Sequence, residues 1–112
     1  MSQLTTHILD TTKGLPATGV TIILYQQQAA AWQQISQGQT NADGRLAVLP
    51  DPAAILEPGT YKMTFLTQAY FDQERVPAFY PFVEIVFAVS DRHHYHIPLL
   101  LSPFGYTTYR GS

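Results

Sequence analysis

Apolar and polar residues alternate with a period of two along much of the chain, and no stretch sustains the 3.6-residue period of a helix. Short β-branched and aromatic runs predict eight strands: Leu4–Leu9, Val20–Gln26, Trp32–Ser36, Arg45–Val48, Gly59–Leu66, Val83–Val89, His94–Leu101 and Gly105–Arg110. Turn residues separate them at Lys13-Gly14-Leu15-Pro16, Asn41-Ala42-Asp43-Gly44, Asp51-Pro52 and Glu57-Pro58-Gly59, where Gly supplies positive φ and Pro presets φ. One short helix fits at Gln68–Glu74, before Pro77 stops it. The glutamine-rich stretch Gln26–Gln34 is expected to be a strand-to-strand turn of little chemical content. Strands at this spacing predict an all-β, two-sheet sandwich, one domain spanning 1–112.

The parity of two strands says more than their existence. In Leu4–Leu9 one face carries Leu4, Thr6 and Ile8, and the other Thr5, His7 and Leu9. In His94–Leu101 one face carries Tyr95, Ile97, Leu99 and Leu101, and the other His94, His96, Pro98 and Leu100. A sandwich needs only its inner faces apolar. The mixed outer faces predict a seam with another subunit, with histidines lying in it.

Composition points the same way. Hydrophobic residues make up 46% of the 112 residues and charged residues only 12%, about half the usual charged share. So little charge predicts that part of the surface is covered, most simply by another copy of the chain. Six Lys and Arg stand singly against eight Asp and Glu, net charge −2, so no basic stripe exists to follow a nucleic acid. With no cysteine there is neither a disulfide framework nor a thiolate metal site. The N-terminal MSQLTTHILD lacks the charged and apolar regions of an export signal, and no apolar run approaches the ~20 residues that cross a bilayer. The expectation is a cytoplasmic protein without membrane attachment.

Four histidines occur, at His7, His93, His94 and His96. His94 and His96 share a strand face, and a third ligand would complete a zinc-like set, but outward imidazoles are as readily explained by solvation. A metal-free role suits them better, because neutral imidazole is the usual general base near pH 7. A base acting with a fixed cation is one such chemistry: histidine takes a proton from water and arginine stabilises the oxyanion. Arg45, just after the Asn41–Gly44 turn, can be held by the sheet and still reach a cleft, although taken alone such a residue is more often a surface arginine. The terminal Tyr109-Arg110-Gly111-Ser112 reads by default as a frayed end. No Gly-x-Ser-x-Gly elbow and no phosphate-binding glycine loop is present.

Over essentially its whole length the chain resembles the transthyretin-related 5-hydroxyisourate hydrolases. The resemblance is carried by Leu4-Thr5-Thr6-His7-Ile8-Leu9-Asp10, Gly14-Leu15-Pro16-Ala17 and Thr40-Asn41-Ala42-Asp43-Gly44-Arg45. It is most specific in HYHIPLLLSPFGYTTYRGS, from His94 to Ser112. Thyroid-hormone carriers of the transthyretin type share the sandwich and the Leu-Leu-Ser-Pro run, but lack the histidines, the arginine and the terminal tetrapeptide. The resemblance implies a transthyretin-like fold with catalytic positions at His7, Arg45, His96 and Ser112. It implies substrate contacts from His7, Arg45, Tyr109, Arg110 and Gly111, with no metal and no cofactor. His93 and His94 match no catalytic position.

The same resemblance implies a homotetramer, a dimer of dimers with active sites at the dimer-dimer interface. The implied substrate is 5-hydroxyisourate, a product of urate oxidation, and the reaction is hydrolysis of an amide bond in its six-membered ring. Two other classes fit parts of the sequence. A small-molecule carrier would use the same channel without turnover, and a generic sandwich module would share Thr18-Gly19-Val20, Asp43-Gly44 and Glu57-Pro58-Gly59-Thr60-Tyr61.

Overall fold

The structure, a computed structural model, describes residues 2–112. Among these residues nine strands and one helix follow in order: β1 (Leu4–Asp10), β2 (Leu15–Pro16), β3 (Thr21–Gln28), β4 (Ala31–Gln39), β5 (Arg45–Ala47), β6 (Gly59–Phe65), α1 (Thr67–Gln73), β7 (Val83–Val89), β8 (Tyr95–Ser102) and β9 (Gly105–Thr108). One sheet runs β2-β1-β8-β9, with β5 also paired to β1, and the other runs β4-β3-β6-β7. The predicted two-sheet sandwich with one short helix is the fold observed.

Strict alternation on β1 builds the first inner face: Leu4, Thr6, Ile8 and Asp10 are buried, while Thr5, His7 and Leu9 are half-exposed. β8 adds buried Tyr95, Ile97, Leu99 and Leu101, and the second sheet answers with Ile22, Leu24, Tyr61, Met63, Phe65, Val83 and Ile85. The Thr6 hydroxyl inside this layer is satisfied, since its Oγ1 donates to the Ile97 carbonyl at 2.6 Å. β1 and β8 are parallel, with Thr5 opposite His96 and His7 opposite Pro98. Their outer faces therefore merge into one surface.

Three sequence expectations are corrected. Gln26–Gln34 is not a turn: β3 and β4 pair through Gln26↔Gln33, Gln27↔Trp32 and Gln28↔Ala31, leaving only Ala29 and Ala30 to reverse the chain. This hairpin projects with much of both strands in solvent, so no apolar alternation marks it. β2 was not foreseen, because two residues paired through Leu9↔Pro16 and Asp10↔Leu15 are too few to make a pattern. The last strand ends at Thr108 rather than Arg110. The chain leaves the ladder there, and its backbone bridges back to β8 at Gly111, opposite His96.

The helix lies one residue earlier than expected and stops before Pro77 is reached. Arg75 adopts φ +58°, and the Arg75 and Val76 amides donate to the Asp72 and Phe71 carbonyls, closing the helix with a Schellman motif. Asp10 anchors this helix to the first sheet. Its carboxylate accepts from the Thr12 and Lys13 amides at 3.1 and 3.2 Å, and from the Tyr70 hydroxyl at 2.7 Å. Burial, with this hydrogen bond second, pushes the Tyr70 phenol well above its ordinary pKa. An ion pair between Lys13 and Glu74 spans the same junction. No helix among the described residues is long and apolar enough to cross a membrane.

Candidate active site

The outer surface shared by β1, β5 and β8 holds a cleft of about 290 Å³, lined by Thr5, Thr6, Arg45, Leu46, Ala47, His94, His96 and Ser112. Arg45 owes its place to the preceding turn. The Asn41 side chain accepts from the Asp43 and Arg45 amides at 2.9 and 3.0 Å, an Asx turn that delivers the chain into β5. Gly44 is obligatory in it: φ is +72°, and a Cβ there would stand 2.5 Å from the Ile8 carbonyl oxygen. β5 then pairs with β1 so that Arg45 lies opposite His7. Among the described residues no carboxylate forms an ion pair with Arg45, so its charge is available to a ligand.

His7 stands on this face in register with Arg45, beside the cleft rather than among its lining residues. Burial first, and then the Arg45 charge, hold its pKa below the ordinary 6.5, with a hydrogen bond to the Asp43 backbone acting the other way. His96 is lowered by burial first, then by Arg45, His94 and His7, against a hydrogen bond to the Thr5 backbone. Both imidazoles are thus biased toward the neutral form that can accept a proton. The arrangement can activate a water and stabilise an anion beside it.

The terminal tetrapeptide divides at this surface. Gly111 closes against His96, its amide donating to the His96 carbonyl at 2.7 Å. A Cβ on Gly111 would lie 2.7 Å from His96 Cδ2 and 3.2 Å from Pro98 Cγ, so only glycine fits. Ser112 follows into the cleft. Tyr109 and Arg110 do not. They line a separate groove of about 240 Å³ with Ile85, Phe87, Ala88, Tyr95, Ile97 and Thr108, and the Arg110 guanidinium stacks 4.2 Å above the Tyr95 ring. Within one chain, then, His7, Arg45, His96, Gly111 and Ser112 come together, and Tyr109 and Arg110 face elsewhere.

Sequence reasoning did not single out Thr5 or assign His94. The Thr5 hydroxyl lies 2.9 Å from His94 Nε2 and 2.8 Å from His96 Nδ1, and the two rings stack at 6.3 Å. The signal was present in the parity, which places Thr5 with His7 and His94 with His96. His93 instead points to solvent beside Asp91. No group of three or more His, Asp or Glu suited to a metal occurs among the described residues.

Residues 4–111 match the family described as HIUase/Transthyretin. A mouse 5-hydroxyisourate hydrolase is 46% identical over 114 residues, covering 99% of this chain and 96% of that protein. The structure of Klebsiella pneumoniae 5-hydroxyisourate hydrolase superposes with a TM-score of 0.86 at 38% identity, covering 97% of this chain and 98% of the other. Sea bream transthyretin in complex with thyroxine superposes with a TM-score of 0.89 at 34% identity, covering 97% and 94%. The backbone alone therefore does not separate hydrolase from carrier, and the side chains of the cleft must.

Proposed function

The chain belongs to the HIUase/transthyretin family, and on that premise we propose that it hydrolyses 5-hydroxyisourate to 2-oxo-4-hydroxy-4-carboxy-5-ureidoimidazoline, a step in urate breakdown. The observation that carries this reading over a carrier is the cleft itself. An arginine without an ion-pair partner shares one outer face with two imidazoles biased toward the neutral form. A pocket for an aromatic hormone needs no base, whereas hydrolysis of a cyclic amide needs both a base and an anion site.

In the proposed reaction His7 and His96 orient a water and remove its proton as its oxygen attacks the ring amide carbonyl. Arg45 binds the carbonyl-rich substrate and offsets the charge developing on the attacked oxygen. Collapse of the tetrahedral species breaks the C–N bond, and the proton held by imidazole passes to the departing ring nitrogen. Ser112 borders the reacting centre, and Gly111 lets the tail close on His96. General base catalysis worth about 10²–10⁴-fold, with positioning, is enough for an amide this labile and requires no cofactor. Tyr109 and Arg110 have no part within their own chain's cleft. The active form is a homotetramer, a dimer of dimers with the clefts at the dimer-dimer seam, which accounts for the half-apolar outer faces of β1 and β8.

Generating 5-hydroxyisourate in place from urate and a urate oxidase, and following its ultraviolet absorbance, tests the reading. Decay faster than in buffer is expected. Decay at the spontaneous rate, together with saturable binding of thyroxine, would replace the hydrolase by a carrier.

A further inference from the structure

Thr5 Oγ1 touches two imidazoles at once, His94 Nε2 at 2.9 Å and His96 Nδ1 at 2.8 Å. A hydroxyl carries one proton. If that proton goes to one ring, the other ring must be the donor, so the tautomers of His94 and His96 are coupled through Thr5. With the hydroxyl proton directed at one of the two rings, two polarities exist. In one, Thr5 donates to His94 and accepts Nδ1–H from His96, leaving the lone pair of His96 on Nε2. In the other, His94 donates to Thr5, which donates to His96 Nδ1, and the His96 proton sits on Nε2, where it blocks base action.

We infer that Thr5 and His94 are positioning residues that hold His96 as the Nδ1–H tautomer, so that Nε2 is the nitrogen able to take a proton from water. The inference rests on the hydrolase reading only for its catalytic consequence, since the tautomer belongs to the resting protein. The hydrogen bonds themselves support the first polarity: Thr5 engages Nδ1, while Nε2 of His96 has no hydrogen-bond partner among the described residues and the ring lines the cleft, so Nε2 is the nitrogen left for water.

Nitrogen-15 spectra of the histidine rings in the unliganded protein near pH 8 test this. His96 is expected with its proton on Nδ1, opposite to the preference of the free side chain for Nε2. Thr5→Val and His94→Ala should move it to Nε2 and lower kcat about tenfold or more with KM little changed. Thr5→Ser, which keeps the hydroxyl, should restore both. A wild-type His96 protonated on Nε2, or a tautomer unmoved by Thr5→Val, would overturn the inference. The expected spectra without any acceleration of 5-hydroxyisourate decay by the wild type would uphold the relay and overturn the hydrolase instead.

Discussion

In the proposed reaction His96 and His7 act as bases because of where the sheet holds them. Each is partly desolvated and each feels Arg45, so each gives up its proton more readily than an ordinary imidazole of pKa 6.5. The pH-rate profile should therefore rise from the acid side with its midpoint below 6.5 and be level above neutrality; a midpoint above 7 in kcat/KM would contradict the assignment. The same shift acts on stability. The unfolded chain binds protons at these positions more readily than the folded one, so their contribution is complete above about pH 6.5 and is lost as the pH falls. Gly111 leaves little room, with His96 Cδ2 at 2.7 Å from any added methyl. Gly111→Ala should displace the imidazole and lower turnover about tenfold or more, with the circular dichroism of the sandwich unchanged. Full turnover by that variant would show the tail to be irrelevant to His96. Residue type made His7, Arg45 and His96 candidates in the sequence, and the family resemblance gave them their places. The role of Thr5 was not, because a threonine on a strand carries no chemical signature until its neighbours across the sheet are known.

At the scale of elements, β7 was legible to the residue, Val83–Val89, since a β-branched and aromatic run stands there between Pro81 and Asp91. The β3–β4 hairpin was not, because glutamines on exposed strands erase the alternation, and its pairing is stabilised instead by the Lys62 ammonium packed 5.0 Å from the Tyr25 ring and 4.7 Å from the Trp32 ring. The short helix was expected, but its end depends on Arg75 in a left-handed conformation, which sequence gives no reason to foresee. What fastens that helix is the buried Tyr70 hydroxyl on Asp10, a carboxylate that also organises the turn after β1. Tyr70→Phe removes a hydrogen bond to a charged acceptor and should destabilise the fold by about 1.5–3 kcal/mol. Urea unfolding of the two proteins measures this; an unchanged midpoint would mean that the junction is held by packing alone.

For the molecule as a whole, the sequence predicts a surface poor in charge, and large apolar residues are indeed exposed on the single chain. Phe79 and Phe104 are 70% and 68% exposed in the single chain, and Val86 is 57% exposed. A homotetramer would cover such residues, and it would turn the outer face of β1, β5 and β8 from an open surface into a water-excluding cleft. The path of the last residues was beyond sequence reasoning, since after Thr108 the side chains part, Tyr109 and Arg110 lining one groove and Ser112 another. If His7, Arg45 and His96 together make this sandwich an enzyme, the decay rate of 5-hydroxyisourate will show it with the wild type, His7→Ala, Arg45→Ala and His96→Ala, each first shown by sedimentation to keep four times the 12.5 kDa chain mass. Wild-type acceleration that each substitution reduces about 10²-fold or more in an intact tetramer is expected; substituted tetramers that hydrolyse the substrate as fast as the wild type would rule these residues out.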